Sequence, residues 1–531
     1  MKIVNMIKSF IFLLFCSTLV LTMGCKKELA IGQDPYAGGK EPFGVKFMGK
    51  YTDPESGKPG SLMNFSVKGV KAFEKDIQFF INEQATEVVS LNDSVITVKI
   101  PELVSSGAAT IKIDNQVFFG PYVTIEGKVG IDKNYDIVSG FNNSVNAIYP
   151  YAGGLIVGGF FNNFDLEASE TVFRNGMHYI TANGKTATNF NFQKGTVDGV
   201  KAIVRQNNGQ LIIGGYFQNY NEKSVNGLAR LNANGTLDTT IVSVLNTTPE
   251  KPENGYDTVS TFNGGVIGGD ISRTFLTKDE KILVVGSFSH YVKVDYNYSS
   301  RNSKRGIFTK ARSVIRLKNN GDLDSTYMHD HTGANGIVLD AILQEDDKLV
   351  LVGLFTQFNG KAAKGIVRLN VDGTIDPTFN VGSAADDRIF SMTYNQQLQK
   401  FAITGIFKNF NGRPANGVVL LDKSGSVDTQ FKFGDVGDGS AQFAQLLNSG
   451  KVLVAGNLKK YNGINRSALL ILNEKGEAEQ QYNNMGPFMG SVAQVIETTS
   501  SLGNPAIYIA GNIFKVDNKA GGGLFKLEIK N

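Results

Sequence analysis

The sequence predicts an all-β protein, a small N-terminal β-sandwich followed by a closed seven-bladed β-propeller. Three observations predict it. Residues 44–125 carry six short segments of alternating apolar and polar residues. From residue 129 onward one phrase recurs: an apolar run, a Gly, an aromatic, then Arg-Leu-Asn, an Asn/Asp-Gly turn and Leu-Asp with a further aromatic. The last copy of that phrase lacks its ending, and the ending stands instead ahead of the first copy.

The chain begins with a targeting segment, residues 1–25. Lys2 and Lys8 form a basic head, Ile11-Phe12-Leu13-Leu14-Phe15 through Leu19-Val20-Leu21 is apolar, and Thr22-Met23-Gly24-Cys25 ends the run. This pattern describes a secretory signal, and it is too short for a retained transmembrane helix. Gly24-Cys25 resembles the cleavage box of bacterial lipoproteins, with Thr22 where Leu is usual. The resemblance implies a diacylated Cys25, membrane attachment through an N-terminal lipid anchor, and a place in the bacterial cell envelope as an outer-membrane lipoprotein. The periplasmic and surface sides both stay open, because Lys26-Lys27-Glu28 is not a strongly acidic export tag. The chain has 2 Cys, Cys16 and Cys25, so Cys25 has no disulfide partner in an exported chain. Lipid chains partition at roughly 0.8 kcal/mol per buried CH₂, so two or three of them anchor a soluble domain firmly.

Residues 26–42 contain Lys, Gly, Pro and Asp with little apolar content and read as a tether. The next unit, residues 43–128, holds segments at 44–47, 63–67, 77–81, 95–100, 110–113 and 122–125, which suits a small sandwich. Phe65-Ser66-Val67-Lys68-Gly69, Val98-Lys99-Ile100-Pro101 and Gly107-Ala108-Ala109-Thr110-Ile111 resemble the immunoglobulin-like TIG module, which implies an Ig-like stalk domain.

Residues 129–531 hold the repeats. The Gly that closes each apolar run is Gly159, Gly215, Gly286, Gly353, Gly405, Gly456 and Gly511, and two residues later stand Phe161, Phe217, Phe288, Phe355, Phe407, Leu458 and Ile513. Intervals of roughly 50 to 70 residues suit four-stranded blades and exceed most solenoid units. The turns Asn183-Gly184, Asn234-Gly235, Asn320-Gly321 and Asp372-Gly373 are hairpin signals, since Gly accepts positive φ without a Cβ clash. The Gly-x-Phe element, the Arg-Leu-Asn-x-Asp-Gly turn and the Leu-Asp-x-x-Phe ending together resemble the delta-60 repeat, a bacterial β-propeller motif. The missing ending of the last copy is found at Ile131-Asp132-Lys133-Asn134-Tyr135, so the first residues of this region are expected to complete the final blade and remove an open edge.

Chemistry is sparse. Arg230, Arg316 and Arg368, with Asp238, Asp324, Asp376 and Asp428, recur blade after blade, which argues for structural pairing and against one active site. His329-Asp330-His331 places two imidazoles on one face of an extended segment, but further ligands are lacking and it reads as a loop. Asp435-Val436-Gly437-Asp438-Gly439 lacks EF-hand spacing. No Gly-x-Ser-x-Gly elbow occurs. No catalytic residue, metal or cofactor is expected. The formal charge of +4 falls to +2 without Lys2 and Lys8, and no basic stripe occurs, which argues against nucleic acid. The absence of Trp lowers the case for a sugar site, although Tyr can substitute.

Two insertions break the repeat, at about 242–270 and 292–311. The second, with its flank, supplies the candidate ligand loop: Tyr291, Tyr296, Tyr298, Arg301 and Arg305. The reading is a lipid-anchored binding or scaffold protein with a protein or glycan ligand. The alternative is a propeller enzyme or binder acting on extracellular polysaccharide. A cluster of carboxylates with perturbed pKa in the channel mouth would favour the enzyme, and a mixed mouth the binder.

Overall fold

The computed structural model describes residues 43–328 and 332–530. The signal segment, Cys25, the tether and the His329-Asp330-His331 triplet lie outside the described residues. The residues from Lys46 onward form one compact unit, built from β-strands and a few short 3₁₀ turns.

Its first part is an eight-stranded sheet in the order Lys46–Phe47, Leu62–Lys68, Val95–Lys99, Gln84–Leu91, Gln78–Ile81, Gly107–Ile113, Gln116–Ile125, Ser56–Gly57. Alternation decides which face is covered: Met63, Phe65 and Val67 are buried while Leu62, Ser66 and Lys68 are exposed. Phe65 and Phe79 pack with ring centroids 4.8 Å apart at the centre of this core. All six segments expected from the sequence fall on strands. Gln84–Leu91 was not among them, because its hairpin turns through Asn82 and Glu83, both at positive φ, without a Gly to mark it.

Among the described residues the repeats form seven principal sheets, with smaller two- and three-stranded sheets beside them. The middle strands are Gly154–Gly159, Leu211–Tyr216, Ile282–Gly286, Leu349–Leu354, Lys400–Gly405, Val452–Asn457 and Pro505–Val516. The first strand of each sheet packs on the first strand of the next, and Phe488–Thr499 of the seventh packs on Val145–Tyr151 of the first. Each middle strand is covered on both faces, which explains its continuous apolar run.

The repeated Gly has a specific cause. In all seven sheets the first strand carries a β-bulge, and the repeated Gly pairs with the residue before it, as Val200 with Gly215 and Val338 with Gly353. A Cβ on any of these glycines would lie well inside van der Waals contact of a backbone oxygen in the facing strand, such as Gly199 O at Gly215 or Ile337 O at Gly353. Only a residue without a side chain lets the bulged strand approach so closely. The aromatic or aliphatic residue two positions on is buried in every copy, from Phe161 to Ile513.

The expected four-stranded blades differ from the sheets observed. The first six sheets have three strands, and beyond the turn a single bridge, such as Leu231 with Leu237 or Leu369 with Ile375, stands where a fourth strand was expected. In the copies that keep the Arg, the residue after the bridge, such as Asp238 or Asp376, accepts a hydrogen bond from it. Only the seventh sheet has a full fourth strand, Val129–Ile131, which pairs antiparallel with the last strand through Ile131–Leu527, Gly130–Glu528 and Val129–Ile529. The displaced ending therefore sits where the sequence placed it. Asp132 reaches Lys526 at 3.2 Å with both side chains buried, and Tyr135 packs on Tyr508 at 5.6 Å.

The eight-stranded sheet is docked on the connection between the sixth and seventh sheets. Ser106 N donates to Asn484 O at 2.8 Å, Ser105 Oγ to Asn483 O at 2.6 Å and Asn484 Nδ2 to Val104 O at 2.8 Å, all buried.

Two outcomes test these contacts. Gly353→Ala is expected to cost about 1–3 kcal/mol by urea denaturation, the range for overpacking. Gly130→Ala, where a Cβ meets nothing within 4 Å, is expected to stay within about 1 kcal/mol. Deleting residues 129–136 removes the strand, a buried ion-pair partner and a buried ring, and is expected to lower Tm by about 10 °C or more. An unchanged Tm would show that the N-terminal strand does not secure the seventh sheet.

Candidate functional site

The recurring Arg and Asp form clamps. Arg368 Nε donates to Asp376 Oδ2 at 2.8 Å, Nη2 to Thr378 Oγ1 at 3.1 Å and Nη1 to the carbonyl of Lys423 at 2.6 Å, while its guanidinium lies 4.8 Å over Phe379. Arg316 repeats the set with Asp324, Thr326, the carbonyl of Val371 and Tyr327. The Asp-x-Thr-aromatic ending is thus the receptor for the Arg of its own copy. The carbonyl lies in the turn of the following copy, so each clamp also ties neighbouring sheets. The fifth and sixth copies, without Arg, keep the charge pairing by other means: Lys400 reaches Asp428 and Lys451 reaches Glu479, both at 2.6 Å. Lys526 takes the Arg position opposite Asp132.

Burial alone would raise the carboxyls of Asp324 and Asp376. Hydrogen bonds from Thr326 or Thr378, from Lys281 or Lys348 and from the facing Arg outweigh it, and both are held well below the usual carboxylate range.

The two insertions meet. The first, carrying the paired strands Thr239–Ser243 and Tyr256–Ser260, is spliced into the clamp of the second copy, between Asp238 and the Thr261-Phe262 that resumes it. The second extends a hairpin into His290–Asp295 and Arg305–Lys310, which form a separate sheet with Gly265–Ile267. Leu245 N donates to Ser299 O at 2.8 Å, Arg301 Nη1 to Asn254 Oδ1 at 3.1 Å, and Lys304 pairs with Asp257 at 2.6 Å. Together they make one platform.

The five predicted loop residues divide. Tyr291 is a correction: it is buried, with its hydroxyl on Gly321 O at 2.9 Å, and belongs to the core of the third sheet. Tyr296 is half-buried, and burial, followed by the charge of Asp257, pushes its hydroxyl up to about 12. Tyr298 is exposed beneath the Arg305 guanidinium, which lies 4.7 Å over its ring. Arg301 and Arg305 are exposed and in no ion pair among the described residues. Ile241, Leu245, Tyr256, Ile307 and Phe308 add exposed apolar area. Arg305–Lys310 is an edge strand of its sheet.

The first strands of the sheets surround a channel of about 370 Å³. Bulge residues Asn146 and Lys201 line it, as does Arg273. Lys201 is paired with Asp270, and Arg273 with the buried Asp340 at 2.9 Å. The channel is mixed in character. Asp340 is further occupied by the backbone N–H groups of Ala341 and Met392. Among the described residues, no group of three or more His, Cys, Asp or Glu is placed to hold a metal ion, and no helix is long and apolar enough to cross a membrane.

A third insertion was missed. Phe161 stands 15 residues before Gly176, whereas Phe217–Gly227, Phe355–Gly365 and Phe407–Gly417 each span 10. The extra residues line a cleft of about 700 Å³ on the first sheet with Val172, Phe173 and Arg174. That spacing was the available signal. It was masked because the copy also departs at the Arg and Asp positions, where Tyr179 and Ala187 stand.

Asp376→Asn should leave Arg368 and Lys348 facing each other uncompensated, at a cost of about 3–5 kcal/mol near neutral pH. Because folding lowers the Asp376 pKa, the stabilisation is complete above the ordinary Asp value of 3.8 and fades as pH falls below it. Denaturation curves of wild type and variant should therefore draw steadily closer as pH falls below about 4.

Residues 19–121 match the family described as a domain of unknown function, DUF5008. Residues 206–240, 344–379 and 402–431 match a second, described as a domain of unknown function (DUF5122) beta-propeller. No curated protein matches the chain. Among solved structures, the chain is similar to the WD40 β-propeller domain of Doa1, at 11% identity over 76% of this chain and 98% of that one, with a TM-score of 0.35. It is also similar to a protein of unknown function from Bacteroides thetaiotaomicron VPI-5482, at 11% identity over 91% and 98%, TM-score 0.26. A third is YCF48 bound to D1 peptide, at 9% identity over 76% and 100%, TM-score 0.38. The chain is a propeller-containing, all-β protein.

Proposed function

We propose that this chain is a lipid-anchored, non-catalytic binding protein of the bacterial cell envelope. In this reading a signal peptide of residues 1–25 is removed, Cys25 is acylated and residues 26–42 act as a tether. An Ig-like TIG-type domain (43–128) then leads into a closed seven-bladed delta-60 propeller (129–531). Support for closure comes from the contact of the seventh sheet with the first and from the strand Val129–Ile131 in the last sheet. Support for the anchor comes from the sequence around Gly24-Cys25 alone.

The observation that carries the binding function is the platform. Tyr256, Tyr298, Ile307 and Phe308 are each exposed on the two joined insertions, as are Arg301, Arg305 and Lys310, with Phe308 and Lys310 on one face of the edge strand and Arg305 and Ile307 on the other. An edge strand with exposed apolar side chains and unpaired cations suits strand addition by an acidic, extended segment of a partner protein. The mixed lining of the channel suits a binder, its cations Lys201 and Arg273 being held by Asp270 and Asp340.

Two measurements test this. Metabolic labelling with alkyne-palmitate should mark the wild-type chain and not Cys25→Ala. A fluorescein-labelled peptide of alternating Glu and Val, about eight residues long, should raise anisotropy on binding, less so at high salt. Phe308→Pro, which removes an edge N–H, and Lys310→Glu should each weaken it about tenfold or more. Absence of binding, or binding indifferent to both changes, would sink the platform reading.

A further inference from the structure

The cleft on the first sheet goes beyond the platform and uses none of its residues. In the other copies the outer edge of the sheet is filled by a clamp or by a Lys paired with an acid. In the first copy Tyr179 stands at the Arg position and Ala187 at the Asp position. Tyr179 keeps the stacking half of the clamp, lying 4.7 Å from Phe190, and its hydroxyl donates to Tyr151 O at 3.0 Å. Nothing replaces the charged half, and the space is left open.

The third insertion walls that space. Phe173, 38% exposed, stands at the cleft with Val172, and Phe190 and Phe192 are stacked with centroids 5.5 Å apart. Beside these aromatic faces runs a polar chain. Arg174 reaches Glu167 at 3.0 Å, and the Thr186 hydroxyl donates to Glu167 at 2.7 Å. The Thr186 oxygen is then left to accept from Nε2 of the buried His178 at 3.0 Å. Burial, followed by the charge of Arg174, pushes the His178 imidazole down to about 3, so it is a neutral hydrogen-bonding prop across the physiological range. Asn191, Gln193 and Thr188 add exposed amides and a hydroxyl.

The charges in the cleft are compensated: Arg174 by Glu167, and Lys194 by Glu222. A ligand therefore gains little from net charge. It needs an apolar face for the exposed phenyl ring and many hydroxyls for the amides and the guanidinium. We propose that this cleft binds a neutral oligosaccharide, with a pyranose C–H face on the exposed Phe173 and ring hydroxyls on Arg174, Asn191 and Gln193. The cleft is an open trough and not an enclosed cavity, which suits a segment of a chain more than a small apolar molecule.

Saturation-transfer NMR on the full chain, with maltotetraose, cellotetraose and mannotetraose offered separately, tests the proposal. At least one should show transfer concentrated on ring C–H protons. Phe173→Ala and Gln193→Ala, both at exposed positions, should each reduce it about tenfold while Tm stays within about 2 °C of wild type. No transfer to any of the three overturns the proposal, as does transfer that both variants leave intact, which would place the sugar elsewhere. Because the platform residues are untouched in these variants, peptide binding there should be unchanged whichever way the sugar result falls.

Discussion

The constraint on which the repeat region depends is the close approach between a bulged first strand and a glycine in the second. It occurs in all seven of these sheets, whereas the Arg and its carboxylate partner are absent from some copies. The bulge bends the strand and increases its local twist, and it turns one extra side chain out of the ladder. At Asn146 and Lys201 that side chain faces the channel. A methyl group on the glycine would push the strands apart and lose both effects. Sheet packing and channel lining therefore have one origin.

The clamp is a second, more tolerant device. Its requirement is a cation opposite a carboxylate at the outer edge of each sheet, together with something to hold the next turn. Arg meets both needs, since its planar fork reaches a carboxylate, a threonine and a carbonyl while its face covers an aromatic ring. Lys400 and Lys451 meet only the first need from a different strand. Because buried pairs of this kind are costly to break and modest in net stabilisation, they are better seen as fixing how neighbouring sheets register than as the main source of stability. The apolar middle strands supply that.

The two candidate sites collect where the repeat is interrupted. The platform grows from an insertion inside one clamp and an extension of one small hairpin, and the first-sheet cleft from a longer loop beside a clamp that has lost its charges. In each case the regular sheets hold rigid ends a fixed distance apart, so the added residues are positioned without disturbing the ring of packed strands. This also explains the fate of Tyr291. It stands at the root of the extended hairpin, where the strand is still in the core, and its aromatic character serves packing.

Sequence alone determined the all-β class, the repeated glycine of each copy and the displaced strand at Val129–Ile131. Each of these follows from local chemistry: strand alternation, the need for a missing Cβ, and a motif long enough to be recognised when split between chain ends. It did not determine that the expected fourth strands shrink to single bridges, in copies with the Arg (Leu231 with Leu237) and without it (Ile180 with Thr186) alike. Nor could it show Ser105 and Ser106 buried against Asn483 and Asn484, or two insertions joined through Leu245 and Ser299. Those contacts bring together residues distant in the chain, and no periodicity or spacing encodes them. Tertiary structure alone decided them, because a polar group's partner is fixed by which surfaces the packed sheets bring within hydrogen-bond reach.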